Sequence, residues 1–391
     1  MKKYLIVGNG VAGTTAAENI RRNDPTAWIT IVTEEKLPFY YRIRLPDFLC
    51  GEVNESGLVA KKKEWYQKKN ITLRLSTKIT GGSLKDKTLR SSNGEKIRFD
   101  RLILANGSTP NVPAISGSDK KGVFTLHYIQ DAKDIISHAG CCKKAVLIGG
   151  GLLGLEAGNG LKKLGLEITV VEFFPRLLPR QLDGEGGHRL QNILEDRGFS
   201  FKLDAITRTI EGKDEVEGIT LENGEFIAAD MVVISAGVNP KLDLAMQLGL
   251  DYNRGIKVDK QMRTSHPDVY AAGDIVEFAG RTYGIWPAAM EQGEIAGTNI
   301  SGGDTIYEGT ILSSILKVAG IDLASAGEID NENRYESKIV ASETIYKKVV
   351  IDNNKVVGCI MLGDRKNFNR INKAISIGED ILSELDSLLA I

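Results

Sequence analysis

The stretch AVLIGGGLLGLEAGNGLKKLGLEITVVE, from Ala145 to Glu172, runs from an apolar segment through clustered glycines and a second apolar segment to a carboxylate. An earlier stretch, YLIVGNGVAGTTAAENI from Tyr4 to Ile20, has the same layout and is followed by AWITIVTEE. In both, an uninterrupted apolar run of strand length leads into G-x-G-x-x-G, and the residues after the second glycine suit a helix. A buried parallel strand, a tight turn and a closely packed helix are therefore predicted twice.

Each glycine in such a turn has its own task. The first makes the turn, the second lets main-chain N–H groups approach a pyrophosphate, and the third lets helix and strand pack closely. In the first copy these are Gly8, Gly10 and Gly13, with Glu34 and Glu35 closing the next strand. In the second they are Gly149, Gly151 and Gly154, with Glu172 eighteen residues past Gly154. Glycine used only for close packing is the alternative for one copy alone, but two copies in full context point to two dinucleotides. A carboxylate at the strand end accepts both ribose hydroxyls, whereas a 2′-phosphate calls for an arginine. Glu172 is followed by Phe173 and Phe174, with Arg176 farther on, so NADH is expected there rather than NADPH. Two dinucleotides on one chain most simply pair a hydride donor with a redox acceptor, which gives FAD at the first turn and NADH at the second.

The totals bound the rest. At 391 residues the chain exceeds one typical core, so two or three domains are expected. With 50 basic and 51 acidic side chains no global field favours nucleic acid or an anionic membrane, and a charged partner has to be met by a local patch. The cysteines Cys50, Cys141, Cys142 and Cys359 fit no metal spacing, and the adjacent pair cannot easily bridge itself. No run of about 18 apolar residues occurs and no apolar leader precedes Tyr4, so the expectation is a soluble cytoplasmic protein.

Along the chain, RFDRLILANGSTPNVP and DMVVISAGVNP repeat one strand-to-glycine-loop pattern about 130 residues apart, which reads as internal duplication. Hairpins are predicted at SSNGE, EGKDEVEG and LENGEF. Alternating stretches in KIVASETIYKKVVIDNNKVVGCIMLG predict antiparallel strands with a turn at Asn353 and Asn354, followed by a helix from Lys366. The predicted fold is α/β, with two Rossmann-like dinucleotide-binding domains plus a small α+β C-terminal domain. Residues 1–113 and 241–315 are assigned to FAD, 114–240 to NAD, and 316–391 to the C-terminal domain.

The ordered set VGNGVAG, LANGS, IGGGLLGLE, ISAGVNP and VYAAGD resembles the FAD-dependent pyridine nucleotide-disulfide oxidoreductase superfamily over roughly residues 3 to 315. YYRIRLP, PRLLPRQLD and LKVAGIDLASAGEI are similar to the branch without a redox cysteine, which holds NADH:rubredoxin oxidoreductases and the flavin portion of nitrite reductase large subunits. The resemblance implies that Gly8, Gly10, Gly13, Glu35, Arg42, Ala105, Gly107, Asp274 and Trp286 serve FAD. It likewise implies that Gly149, Gly151, Gly154, Glu156, Glu172 and Gly237 serve NADH, with Glu156 near the nicotinamide. Solvated arginines at Arg42 and Arg44, core packing for Trp286 and a helix-terminal role for Glu156 are the plainer alternatives.

FYYRIRLPDFLCGEV holds one cysteine, so a dithiol relay is not expected. No cysteine-rich segment precedes the end at Ile391, and the resemblance implies a free-standing NADH reductase for a small one-electron carrier, with rubredoxin the first choice. The alternative is an NADH oxidase or peroxidase using Cys50, its thiolate stabilised by Arg42 or Arg44. Such a carrier is small and acidic, so KKKEWYQKK and RKNFNRINK are candidate basic rims beside the plain reading as solvated helix faces. Neither nucleic acid nor membrane is expected as a partner, and the expected state is a monomer.

Overall fold

The computed structural model describes residues 1–391, which fold as two compact units. The first is built from Met1–Tyr41, Asn54–Thr109 and Val238–Thr310, the second from Arg42–Val53, Pro110–Gly237 and Ile311–Ile391.

In the first unit the run Lys3–Val7 is the central strand of a five-stranded parallel sheet. Trp28–Val32 and Ile71–Arg74 lie to one side of it, and Arg101–Leu104 and Val269–Ala271 to the other. Tyr4, Leu5, Ile6 and Val7 are all buried, as a strand covered on both faces requires. The helix Val11–Asn23 packs along Trp286–Ile300 because small residues meet at the crossing: a Cβ on Gly293 would stand 2.5 Å from the Ala12 carbonyl oxygen. The SSNGE turn joins Thr88–Ser91 to Lys96–Arg98 in an antiparallel meander.

The second unit repeats the plan around Lys144–Ile148, flanked in parallel by Glu167–Val171 and Met231–Ile234. Phe199–Lys202 and Val123–Thr125 complete that sheet. EGKDEVEG and LENGEF connect Thr207–Glu211, Gly218–Leu221 and Phe226–Ala228 as a three-stranded antiparallel sheet. The C-terminal residues form a five-stranded antiparallel sheet, with Asn353 and Asn354 both at positive φ in the turn between Tyr346–Asp352 and Lys355–Leu362. The helix predicted from Lys366 runs over Phe368–Ile377 and stops at Gly378.

Two arrangements in this unit were not visible in the chain order. Arg42–Val53 leaves the first unit, and its short helix Leu45–Leu49 packs on Leu152–Lys163 where Gly160 leaves room: a Cβ there would lie 3.1 Å from the Pro46 carbonyl oxygen. The C-terminal sheet is tied in by charge. Lys348, 1% exposed, donates from Nζ to Asp183 Oδ2 at 3.0 Å and to the carbonyls of Ile329 and Asp330, while the Tyr346 hydroxyl donates to the same carboxylate oxygen at 2.8 Å. Asp183 also caps the helix Gly184–Asp196 through the Gly186 N–H.

A Lys348→Met substitution leaves Asp183 buried without its counter-ion and is expected to lower stability by about 3–5 kcal/mol in denaturant unfolding. The double variant with Asp183→Asn should recover part of that loss; an additive double loss would mean that the pair is not coupled.

Candidate functional site

Gly8 has φ +112, and a Cβ there would run into the Ala105 carbonyl. A Cβ on Gly13 would run into the Gly8 carbonyl oxygen. Gly10 is different, because nothing lies within 4 Å of where its Cβ would be. It is the N-cap of Val11–Asn23, supplies no side-chain cap, and no acidic residue follows in the first turn. The positive end of a thirteen-residue helix therefore keeps its N–H groups for an anion. The second turn divides the work in the same way. Gly149, at φ +116, is pressed against the Ser235 carbonyl and Gly154 against the Gly149 carbonyl, while Gly151 is open and caps Leu152–Lys163 without a side-chain acceptor or first-turn acid.

Polar side chains around the first turn carry unspent capacity. Asn9 Nδ2 and Asn106 Oδ1 are buried without hydrogen-bond partners, although Asn9 Oδ1 accepts from the Tyr66 hydroxyl at 2.9 Å and Asn106 Nδ2 donates to the Lys241 carbonyl. Such orphans cost about 1–3 kcal/mol each unless a ligand or water meets them, and they fit a polar ligand at this turn. Glu35 Oε2 accepts from the Tyr40 hydroxyl at 2.9 Å, whereas Glu34 is paired with Lys241. Asp274 Oδ2 accepts from Ser108 Oγ at 3.0 Å, and the Gly273 N–H donates to the buried Gln292 Oε1 at 2.9 Å. Gly107 has open space at its Cβ position, next to the buried Ala105. Trp286 stacks on Tyr41 at 5.6 Å with a 26° interplanar angle and lies 5.6 Å from Phe39, in one aromatic cluster.

In the second unit Glu172 is only 6% exposed. Its Oε2 accepts from the Gly150 N–H at 2.5 Å and its Oε1 from the Phe174 N–H at 2.8 Å. The carboxylate thus fixes the glycine turn and the exposed Phe173–Phe174 pair in one step. Arg176 is spent on the carbonyls of Pro179 and Leu182. Gly237 has an open Cβ position, and its carbonyl accepts from the Asn111 N–H at 2.9 Å.

The pattern of the pyridine nucleotide-disulphide oxidoreductases matches residues 2–293, and that of the rubredoxin NAD+ reductase C-terminal domain matches residues 313–379. The chain belongs to the pyridine nucleotide-disulphide oxidoreductase family. The NADH-rubredoxin oxidoreductase of Clostridium acetobutylicum is 34% identical over 392 residues, covering 99% of this chain and 98% of that protein. The crystal structure of NADH:rubredoxin oxidoreductase from that organism superposes with a TM-score of 0.82 at 32% identity, covering 99% of each chain. The nitrite reductase [NAD(P)H] of Bacillus subtilis is 37% identical over 97% of this chain, which spans about half (48%) of that relative's length. The family's cofactors are FAD and NADH.

Within this family member, Asn9, Asn106, Ser108, Gln292 and Gly150 are site neighbours that sequence reasoning missed. Asn9 and Asn106 stand inside quoted motifs; Ser108 and Gln292 act only through tertiary contacts. A Cβ on Gly150 would press on Leu177 and Glu172, so the middle one of the three consecutive glycines follows from the carboxylate beside it.

Arg42 lies in the second unit, where Nη1 is 3.0 Å from His127 Nε2 and the guanidinium sits over the Tyr128 ring at 5.1 Å. Because an arginine only donates, His127 accepts through Nε2. Arg44 pairs with Asp47 at 3.0 Å. The Cys50 thiol, at the C-terminal end of Leu45–Leu49, donates to the Asp47 carbonyl at 3.4 Å. Glu156 Oε1 accepts from the Ala319 N–H at 2.7 Å; burial, with Asp47 nearby, pushes its carboxyl above the usual range.

The basic stretches diverge. In RKNFNRINK, Arg365 is paired with Asp322 and Arg370 with both Glu379 and Glu384, so two of its four basic side chains are engaged with acids. In KKKEWYQKK, Lys62, Lys63 and Lys68 are exposed on the helix Lys63–Lys68 and its cap, while Tyr66 between them is buried on Asn9.

Gly10→Ala is expected to fold with near-wild-type stability but to lose FAD, read as flavin absorbance after gel filtration, whereas Gly13→Ala should destabilise the fold itself. Equal stability losses would assign both glycines to packing. A raised Glu156 carboxyl stabilises most below its unfolded pKa, an advantage lost as pH rises through its folded value. Glu156→Gln keeps an acceptor for Ala319, so melting temperatures should converge with wild type at acid pH and exceed it near neutrality.

Proposed function

We propose that this chain is a reductase that takes hydride from NADH onto FAD and passes electrons singly to a small acidic carrier, rubredoxin first. The carrying observation is the doubled turn: in each unit the first and third glycines are filled by backbone while the middle one opens a bare helix N-terminus. When bound, FAD supplies the conversion of a hydride donor into one-electron deliveries.

In this reading Gly8, Gly10 and Gly13 hold the FAD pyrophosphate, Glu35 its ribose, and Asp274, set by Ser108, its ribityl or phosphate end. Asn9, Asn106, Ala105 and Gly107 line the same turn, and Arg42 is assigned to an FAD phosphate. The Trp286–Tyr41–Phe39 cluster offers an aromatic wall for the flavin ring. Residues 1–113 and 241–315 bind FAD, 114–240 bind NADH, and 316–391 form the added C-terminal domain. Gly149, Gly151 and Gly154 hold the NADH pyrophosphate and Glu172 its ribose hydroxyls. With Arg176 committed to carbonyls, that end suits NADH better than NADPH. Glu156 and Gly237 serve the nicotinamide half.

The Cys50 alternative is weaker, since the thiol donates to a carbonyl at a helix C-terminus while Arg44 is taken by Asp47 and Arg42 by His127. The carrier reading is supported by the basic stretch 61–69 around the helix Lys63–Lys68, which is anchored by Tyr66 to the first glycine turn. No helix is long and apolar enough to cross a membrane.

Anaerobic NADH should bleach the bound flavin, and rubredoxin should restore its colour at catalytic rates. Recovery only with oxygen or peroxide, abolished by Cys50→Ser, would overturn the carrier reading. The charge-reversed pair Lys62→Glu and Lys63→Glu is expected to cut rubredoxin kcat/KM by about 10-fold at low salt and leave flavin reduction by NADH intact. A wild-type carrier rate flat between about 20 and 300 mM salt would exclude electrostatic docking.

A further inference from the structure

Cys141 and Cys142 occupy the turn between the helix Ile129–Ala139 and the strand Lys144–Ile148. Both thiols donate to the His138 carbonyl oxygen, at 3.0 and 3.2 Å, and Cys142 Sγ also reaches the Asp230 carbonyl at 3.8 Å. The backbone beneath them is fixed: the N–H groups of Cys141 and Cys142 donate to His138 and Ala139, and those of Lys143 and Lys144 donate to Asp230 Oδ2 at 2.7 and 3.0 Å. Cys141 is exposed and Cys142 half-buried.

Two convergent thiols on a rigid turn are a chelate in waiting, yet a direct disulfide fits them poorly. Neighbouring Cα atoms across a trans peptide are about 3.8 Å apart, below the roughly 4.4–6.8 Å that disulfides span, and the chain has no cis peptide. An atom inserted between the sulfurs removes that conflict. We propose that Cys141 and Cys142 form a chelating dithiol site for trivalent arsenic compounds.

The chemistry balances without an oxidant. Each As–OH bond of an arsonous diol is exchanged for an As–S bond, each thiol proton leaves with a hydroxyl as water, and arsenic remains trivalent. Thiol sulfur is the soft donor such an acceptor selects. Burial and the adjacent Cys141 push the Cys142 thiol up to about 12, so thiolate-dependent alkylation is slow at neutral pH while condensation through the protonated thiol is not shut off. The site lies at the start of Lys144–Ile148, the opposite end of that strand from Gly149. An adduct there should spare the glycine turn.

The test is native mass spectrometry of the reduced, flavin-loaded chain with phenylarsine oxide. One phenylarsenic per chain is expected, removable by a dithiol but not by a monothiol. Cys141→Ser and Cys142→Ser should each weaken retention by at least about 100-fold through loss of the chelate, and Cys50→Ser should leave it unchanged. Flavin content and melting temperature of each variant report folding separately. No adduct on the wild type, or an equally tight one on either single variant, would overturn the proposal, as would transfer of the loss to Cys50→Ser.

Discussion

The arrangement everything else depends on is backbone pressed against backbone at two glycines in each turn. Gly8 lies on the Ala105 carbonyl and Gly13 on the Gly8 carbonyl; Gly149 and Gly154 repeat this with Ser235 and Gly149. No side chain fits between, so the strand, the turn and the helix axis are locked at one separation. The locked geometry leaves the middle glycine uncovered and aims a helix N-terminus past it. The proposed anion binding at each turn is thus a by-product of how tightly its neighbours pack, and the helix that closes behind the first turn must be as lean as Trp286–Ile300, with Gly293 and Gly297 on the seam.

Much of this was legible in the sequence because it is local. Apolar runs that end in glycine give strand, turn and helix within twenty residues, and both copies fold as the periodicity says, as do the C-terminal antiparallel strands with their Asn353–Asn354 turn. What the sequence hid is set by contacts between distant segments. Arg42–Val53 carries no composition change that would announce its move to the second unit; the move follows from Gly160 making room for Pro46 and Leu49. Nothing in KKVVID announces that Lys347 and Lys348 are buried, because the acids that receive them, Asp364 and Asp183, come from other elements. RKNFNRINK read as basic for the same reason: its acids lie at Asp322, Glu379 and Glu384, outside the stretch.

The second unit is held to its C-terminal sheet by ion pairing rather than by an extended apolar seam alone. Asp183 caps one helix, accepts a tyrosine hydroxyl and neutralises Lys348 on one strand, so a helix and a strand share one carboxylate. Glu156 makes a second tie at Ala319, from the helix that opens at Gly151. Buried charge pairs of this kind add little net stability, but they penalise every misaligned docking by leaving a charge unpaired. In this unit that penalty fixes the C-terminal sheet against the helix whose N-terminus is proposed to bind NADH.

Tyr66 gives the first unit a comparable economy. It is buried, accepts from the Phe39 N–H at 3.2 Å and donates to Asn9 inside the glycine turn, so one hydroxyl links the proposed pyrophosphate site, the aromatic segment and the helix bearing Lys62 and Lys63. A phenol buried this way has its own ionisation pushed upward by desolvation and remains a neutral donor throughout the physiological range. The link therefore does not titrate away, and the spacing from the proposed basic rim to the turn is constant. A docking surface for an electron carrier needs that constancy more than it needs affinity, because transfer is governed by where the partner stops and long-range charge only brings it there.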